Sequence, residues 1–170
     1  MRKLLPALVI IAVAACDPNE AFDPSQDPSF PEPPPGAVSV QFALIDKAHT
    51  TFISGIPDAR RTVIRTQEDW EAFWDEFQGN VMPETDAPQV DFSTQMVIVA
   101  TMGTRNTGGY EITIEDVFDD EGALIVHVLE TSPGDSCVTT QALTAPATAV
   151  TVPASDEEPQ FEDADLTRDC

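Results

Sequence analysis

The run Met96-Val97-Ile98-Val99-Ala100-Thr101 limits the fold more than any other stretch. It has the length of a strand and is apolar up to its last residue. Successive side chains of a strand point to opposite faces, so an apolar run of this kind predicts a strand buried on both sides. One helix is equally plain. Thr66 can cap it, with Asp69 three residues on as an imperfect capping box, and Glu68 and Asp69 suit the positive end of the helix dipole. Trp70, Phe73, Trp74 and Phe77 then share one helical face, which reads as core packing, and Gly79 and Asn80 suit the exit.

The remaining pattern is mostly β. Val38, Val40, Phe42 and Leu44 alternate with Ser39, Gln41 and Ala43, as in a half-buried strand. Thr51 to Ile56 reads as a weaker strand, and Arg61 to Arg65 as another around Val63 and Ile64. Tyr110, Ile112 and Ile114 alternate with Glu111 and Thr113. Asp119, Asp120, Glu121 and Gly122 predict a hairpin turn, with Leu124 to Leu129 as the returning strand. His127, between Val126 and Val128, is expected on the solvent side. Gln141 to Val152 predicts a further strand, interrupted near Pro146, and the acidic tail from Ser155 to Cys170 offers Phe161 and Leu166 as anchors. The fold class is therefore α+β: an antiparallel sheet of about six or seven strands with one amphipathic helix.

The N-terminus points to export. Arg2 and Lys3 precede an apolar run to Ala15, too short to cross a bilayer, which takes about 20 residues in a helix. Val13-Ala14-Ala15-Cys16 resembles a bacterial lipobox, which implies a signal peptide over residues 1–15 and lipid on Cys16. Residues 16–36 read as a proline-rich acidic linker able to reach roughly 60 Å, and residues 37–170 as one α+β domain with an acidic tail. The expected location is the bacterial cell envelope, lipid-anchored, facing the periplasm or the exterior. Phe22 and Phe30 in the linker read as passengers, with docking to a partner as the other reading.

Charge narrows the partners. There are 8 Lys and Arg against 30 Asp and Glu. Nucleic-acid binding depends on clustered cations, so that class is excluded, and only the lipid would attach the chain to a membrane. The acidity suits a soluble surface or a saline habitat, and can also steer a basic partner. Of three cysteines, lipid would take Cys16 and leave Cys137 and Cys170 as an even pair. In an oxidising compartment these predict a disulfide that pins the tail, with free thiols or a metal site as the alternatives.

The loop Gly103-Thr104-Arg105-Asn106-Thr107-Gly108-Gly109-Tyr110 is the sharpest candidate for a partner-binding site. Its glycines allow special backbone angles and close approach of another chain, and Arg105 can grip a carboxylate. The alternative is a structural hairpin in which Arg105 relieves local negative charge. No catalytic set, metal site or cofactor is expected. Gly134-Asp135-Ser136-Cys137 is similar to the G-D-S-G turn of chymotrypsin-like proteases, but Cys137 replaces the last glycine, and His49 and His127 lack the context of a base. Gly109 stands where a phosphate loop needs lysine. Asp116, Asp119, Asp120 and Glu121 do not match calcium-loop spacing and allow at most a weak surface site.

Val90-Asp91-Phe92-Ser93, the run from Met96 to Val99, and GTRNTGGYEITI together resemble the C-terminal domain of the PrcB family, subunits associated with secreted bacterial proteases. SPGDSC and TQALTAPATAVTVP are similar to that family's closing strands, so the resemblance covers Val90 to Val152. It implies a lipoprotein domain without catalytic activity that binds and stabilises a partner protease. The same loop is similar to the N-P-T-T-G-Y loop of chagasin-type protease inhibitors, without the proline and with an added glycine. The expected function is protein binding, through Arg105 and Tyr110 as anchors; a structural envelope lipoprotein or a protease inhibitor is the alternative.

Overall fold

A computed structural model describes residues 29–79 and 85–170. The signal segment, Cys16, Phe22 and most of the linker lie outside the described residues, as do Asn80 and Met82. The elements are β1 (Val38–Ser39), β2 (Ala43–Leu44), a 3-10 turn (Asp46–Ala48), β3 (Ala59–Ile64), α1 (Gln67–Gln78), β4 (Gln95–Met102), β5 (Glu111–Asp120), β6 (Ala123–Pro133), β7 (Ala147–Pro153) and β8 (Gln160–Arg168). They form two four-stranded sheets, ordered β1-β5-β6-β8 (the outer sheet) and β2-β7-β4-β3 (the inner sheet). Every pairing is antiparallel except β6 with β8. The α+β reading holds, with the strands divided over two sheets.

The inner sheet is the middle of three layers. Met96, Ile98, Ala100 and Met102 of β4 face Ile112, Ile114 and Val117 of β5 and Val126 and Val128 of β6. Val97 and Val99 point the other way, onto Trp70, Trp74 and Phe77 of α1. β4 is thus buried on both faces, as its composition requires. Thr66 caps α1: its Oγ1 accepts the Asp69 N–H at 3.1 Å and donates to Asp69 Oδ2 at 2.6 Å. The indole N–H groups also find partners. Trp70 Nε1 donates to Pro88 O and Trp74 Nε1 to Thr85 O, both at 2.7 Å, which fastens the segment after the helix.

Several strand readings change. The alternation from Val38 to Leu44 is not one strand, because the chain passes there from the outer to the inner sheet. Val40 and Phe42 pack on the core, whereas Val38 and Leu44 are exposed. Thr51 to Ile56 makes only one isolated bridge, from Ile53 to Ala145, next to another from Thr50 to Ala147. The turn after Asp120 is a two-residue hairpin with positive φ at Glu121 and Gly122, as the sequence predicts. A bulge between Ile114 and Asp116 shifts the alternation, so that Val117 faces the core with Ile112 and Ile114. The acidic tail is itself a strand, β8, whose Phe161 reaches the inter-sheet core. The Cys137–Cys170 disulfide holds its end.

Arg61 closes the open side of the sandwich. From β3 it donates to Asp163 on β8, to Glu130 on β6 and to the carbonyls of Arg60 and Thr101, at 2.7–3.0 Å. Its aliphatic stem spans the gap between sheets while every guanidinium nitrogen is satisfied. Arg65 ties Ser155, Glu157 and Glu158 to the end of β3, and Arg60 pairs with Glu76 of α1. Among the described residues no buried side-chain nitrogen or oxygen lacks a hydrogen-bond partner.

Two expectations follow. Trp70→Ala should remove about 3–5 kcal/mol of stability in chemical denaturation, since it empties a fully buried site between helix and sheet. The hydrogen bond from Arg60 holds the Glu76 carboxyl below its usual range. Asp91 is lowered too, by the Ser93 hydroxyl first, then the Ser93 N–H and the Thr94 hydroxyl. Groups depressed in the folded state stabilise it at neutral pH and lose that contribution as pH falls through their folded pKa. Arg60→Ala should therefore flatten the acid side of the stability–pH curve. The exposed pair contributes about 1 kcal/mol or less.

Candidate functional site

The glycine-rich connection does not join neighbouring strands of one sheet. It carries the chain from β4 in the inner sheet to β5 in the outer sheet, at the end of the sandwich where β6 stops and β7 begins. The connection from Gly134 to Pro146 crosses back at the same end. A third segment, Thr50 to Ile56, lies beside it.

Backbone hydrogen bonds zip the three segments together. Arg105 and Thr144 exchange N–H···O bonds at 2.7 and 3.0 Å, and Gly108 N–H donates to Thr140 O at 2.9 Å. Thr144 Oγ1 adds a bond to Thr107 O at 2.8 Å. Ser54 N–H donates to Ala145 O at 2.9 Å, and Ala145 N–H returns one to Phe52 O. Gly55 N–H donates to Phe77 O at 2.7 Å, which seats the third segment on the last turn of α1. The result is one platform with regular structure behind it.

Gly103 is required by this packing, and Gly108 lies close against its neighbour. Gly103 has φ +70°, and a Cβ there would meet the backbone at Pro57 and Ala59 at 2.7 Å. A Cβ on Gly108 would strike the Thr140 hydroxyl. The close approach expected at these glycines is made by the chain itself.

Arg105 likewise finds a carboxylate within the molecule. Its Nη2 lies 3.4 Å from Glu130 Oε2, and its guanidinium carbon stands 5.6 Å from the centre of the Tyr110 ring. Glu130 is therefore shared between Arg105 on the loop and Arg61 on β3. Tyr110 is half-buried against the inter-sheet core. The loop atoms most open to solvent belong to Thr104, Asn106 and Gly109.

The other two segments also hold large apolar side chains in solvent. Phe52 is 67% exposed, Ile53 65%, Leu143 62%, and Val138 wholly so. Phe52 and Val138 border a groove of about 340 Å³, lined also by Gly108, Gly109, Thr139 and Thr140, with both disulfide cysteines in its wall. These side chains were not legible as surface residues. Phe52-Ile53 reads as part of a weak strand, and Val138 and Leu143 are single apolar residues in polar sequence. The only available hint was that glycine, serine and threonine surround them.

The other candidate groups lie apart from one another in their contacts. Ser136 is exposed on the turn before the disulfide. His49 Nδ1 is 3.3 Å from Thr148 Oγ1. His127 points outward from β6 as expected, but it is 3% exposed instead of solvated, because Phe30 stacks on it. Among the described residues there is no group of three or more His, Cys, Asp or Glu side chains placed to hold a metal ion, and no helix long and apolar enough to cross a membrane.

No curated protein and no solved structure matches the chain. A family model matches part of the chain, over two neighbouring strands of each sheet and the crossing connections between them. Residues 96–153, from β4 through β7, match the family model described as PrcB C-terminal.

Proposed function

We propose that this protein is a lipid-anchored, extracytoplasmic subunit that binds and stabilises a protease, and that the platform of three zipped segments is its binding surface. The family match supports association with a protease complex. The observation that carries the site is the set of four large apolar side chains held in solvent on a hydrogen-bonded support. An apolar side chain kept outside by a rigid backbone is available for burial against a partner at little ordering cost.

The glycine-rich loop contributes in two ways. Its inner atoms fix the platform, through Gly103, Gly108 and the Arg105–Glu130 pair. Its outer atoms, at Thr104, Asn106 and Gly109, are open to solvent and offer polar contacts, and Gly109 lines the groove beside Phe52 and Val138. A partner bound only in its folded form gains stability by mass action, so the subunit needs no chemistry of its own. Lipid on Cys16 would hold this encounter at the membrane surface, and the linker would give it reach.

The test is co-purification of proteolytic activity with the protein from detergent-solubilised native membranes. Wild type should bring down a protease. The pair Phe52→Asp and Val138→Asp should weaken that capture by roughly thirtyfold or more, as loss of a central anchor does, with the fold unchanged by circular dichroism. Cys16→Ser should move the protein from the membrane to the soluble fraction. Capture unaffected by the platform changes would sink the assigned surface, and absence of any protease from wild-type eluates would sink the reading itself.

A further inference from the structure

Along β6 the outward side of the outer sheet is buried, where an antiparallel sandwich would usually be wet. Val126 and Val128 face the inter-sheet core, so Ile125, His127, Leu129 and Thr131 point away from it; all four are nonetheless buried. His127 stands at the centre of this face. Its register partners are Asp116 on β5 and Glu162 on β8. Nε2 lies 3.2 Å from Glu162 Oε2, and Nδ1 lies 4.0 Å from Asp116 Oδ2. The edge of the Phe118 ring closes one side at 5.3 Å between centroids. The flat face of the imidazole is covered by Phe30, nearly parallel to it at 6° and 4.3 Å away. Phe30 belongs to neither sheet; it comes from the stretch ahead of β1.

We propose that His127, Phe118, Asp116 and Glu162 form an aromatic-binding site whose occupant is the chain's own N-terminal arm, inserted through Phe30. The arm is held at two points. Phe30 occupies the site, and beyond the turn closed by Ala37 N–H on Pro34 O at 3.0 Å, β1 pairs with β5. Between these points Pro31 and Pro33 restrict the backbone ahead of the turn, and Pro35 fixes the φ of the turn's first corner, so docking forfeits little conformational freedom. The Glu162 carboxylate sets the plane of the imidazole, which presents a flat face to a flat ring. In consequence the proline-rich stretch is not free spacer to its end. From Phe30 on it is held against the outer sheet, on the side of the sandwich away from α1.

Reaction with diethyl pyrocarbonate, read by mass spectrometry, tests this on the purified protein. The chain has two histidines, and half-buried His49 serves as the internal reference. In wild type His127 should react slowly. Phe30→Ala should accelerate His127 by roughly tenfold or more while His49 keeps its rate, and Phe30→Tyr should restore protection. Equal His127 rates in wild type and Phe30→Ala would overturn the proposal. A measurement on unaltered protein stands independently of how any variant folds. Proton NMR should show contacts between the His127 and Phe30 rings and an upfield displacement of the imidazole protons. Their absence would equally overturn it.

Discussion

β4 has apolar neighbours above and below it. Met96, Ile98, Ala100 and Met102 meet the outer sheet, while Val97 and Val99 meet the tryptophans of α1. A strand in that position can exist only if a sheet covers one face and a helix the other, because neither face tolerates water. The rest of the architecture answers this need. Trp70, Trp74 and Phe77 supply the cover on one side, and β5 and β6 supply it on the other. Two of the crossings that carry the chain between sheets, after β4 and after β6, fall at one end of the sandwich. That is where the platform forms, so the candidate binding surface is a by-product of how the central strand is buried.

Charge acts as a second constraint. With cations so few, each arginine from Arg60 onward is committed to an acid of the same chain: Arg60 to Glu76, Arg61 to Glu130 and Asp163, Arg65 to Glu158, Arg105 to Glu130 and Arg168 to Glu111. Most of these join separate elements, so the scarce positive charge is used to hold layers and edges together. The excess of carboxylates remains for the surface. It lends solubility and repels other acidic bodies, which leaves apolar contact at the loop end as the natural basis of association.

Much of the fold was legible because local periodicity and burial agreed. The helix could be read from its aromatic stripe and cap, the hairpin from Asp-Asp-Glu-Gly, and β4 from an unbroken apolar run. Failures came where an element depended on a neighbour distant in sequence. β8 read as an acidic tail anchored by Phe161 and Leu166, not as a strand, yet Arg61 and His127 receive Asp163 and Glu162 in the sheet. Thr51 to Ile56 had strand-like residues but found only one isolated bridge. The alternation from Val38 to Leu44 suggested one strand where the chain in fact changes sheets. Arg105 read either as a grip for a partner's carboxylate or as relief of local negative charge, and which glutamate stands beside it depends on the fold of β6.

By itself the sequence determined which segments must be hidden, which one must coil, where the chain must reverse and which two cysteines could pair. These are properties of residues within a few positions of one another, or of simple counting. Only the tertiary structure decided that the strands divide into two sheets, that an acidic segment becomes an edge strand, and that Phe52 and Val138 come to border one groove. It also decided that Phe30 covers His127. The physical reason is common to all of these: each depends on partners far apart along the chain, brought together by burial of the middle sheet, and no local pattern encodes which of several compatible partners a side chain will meet.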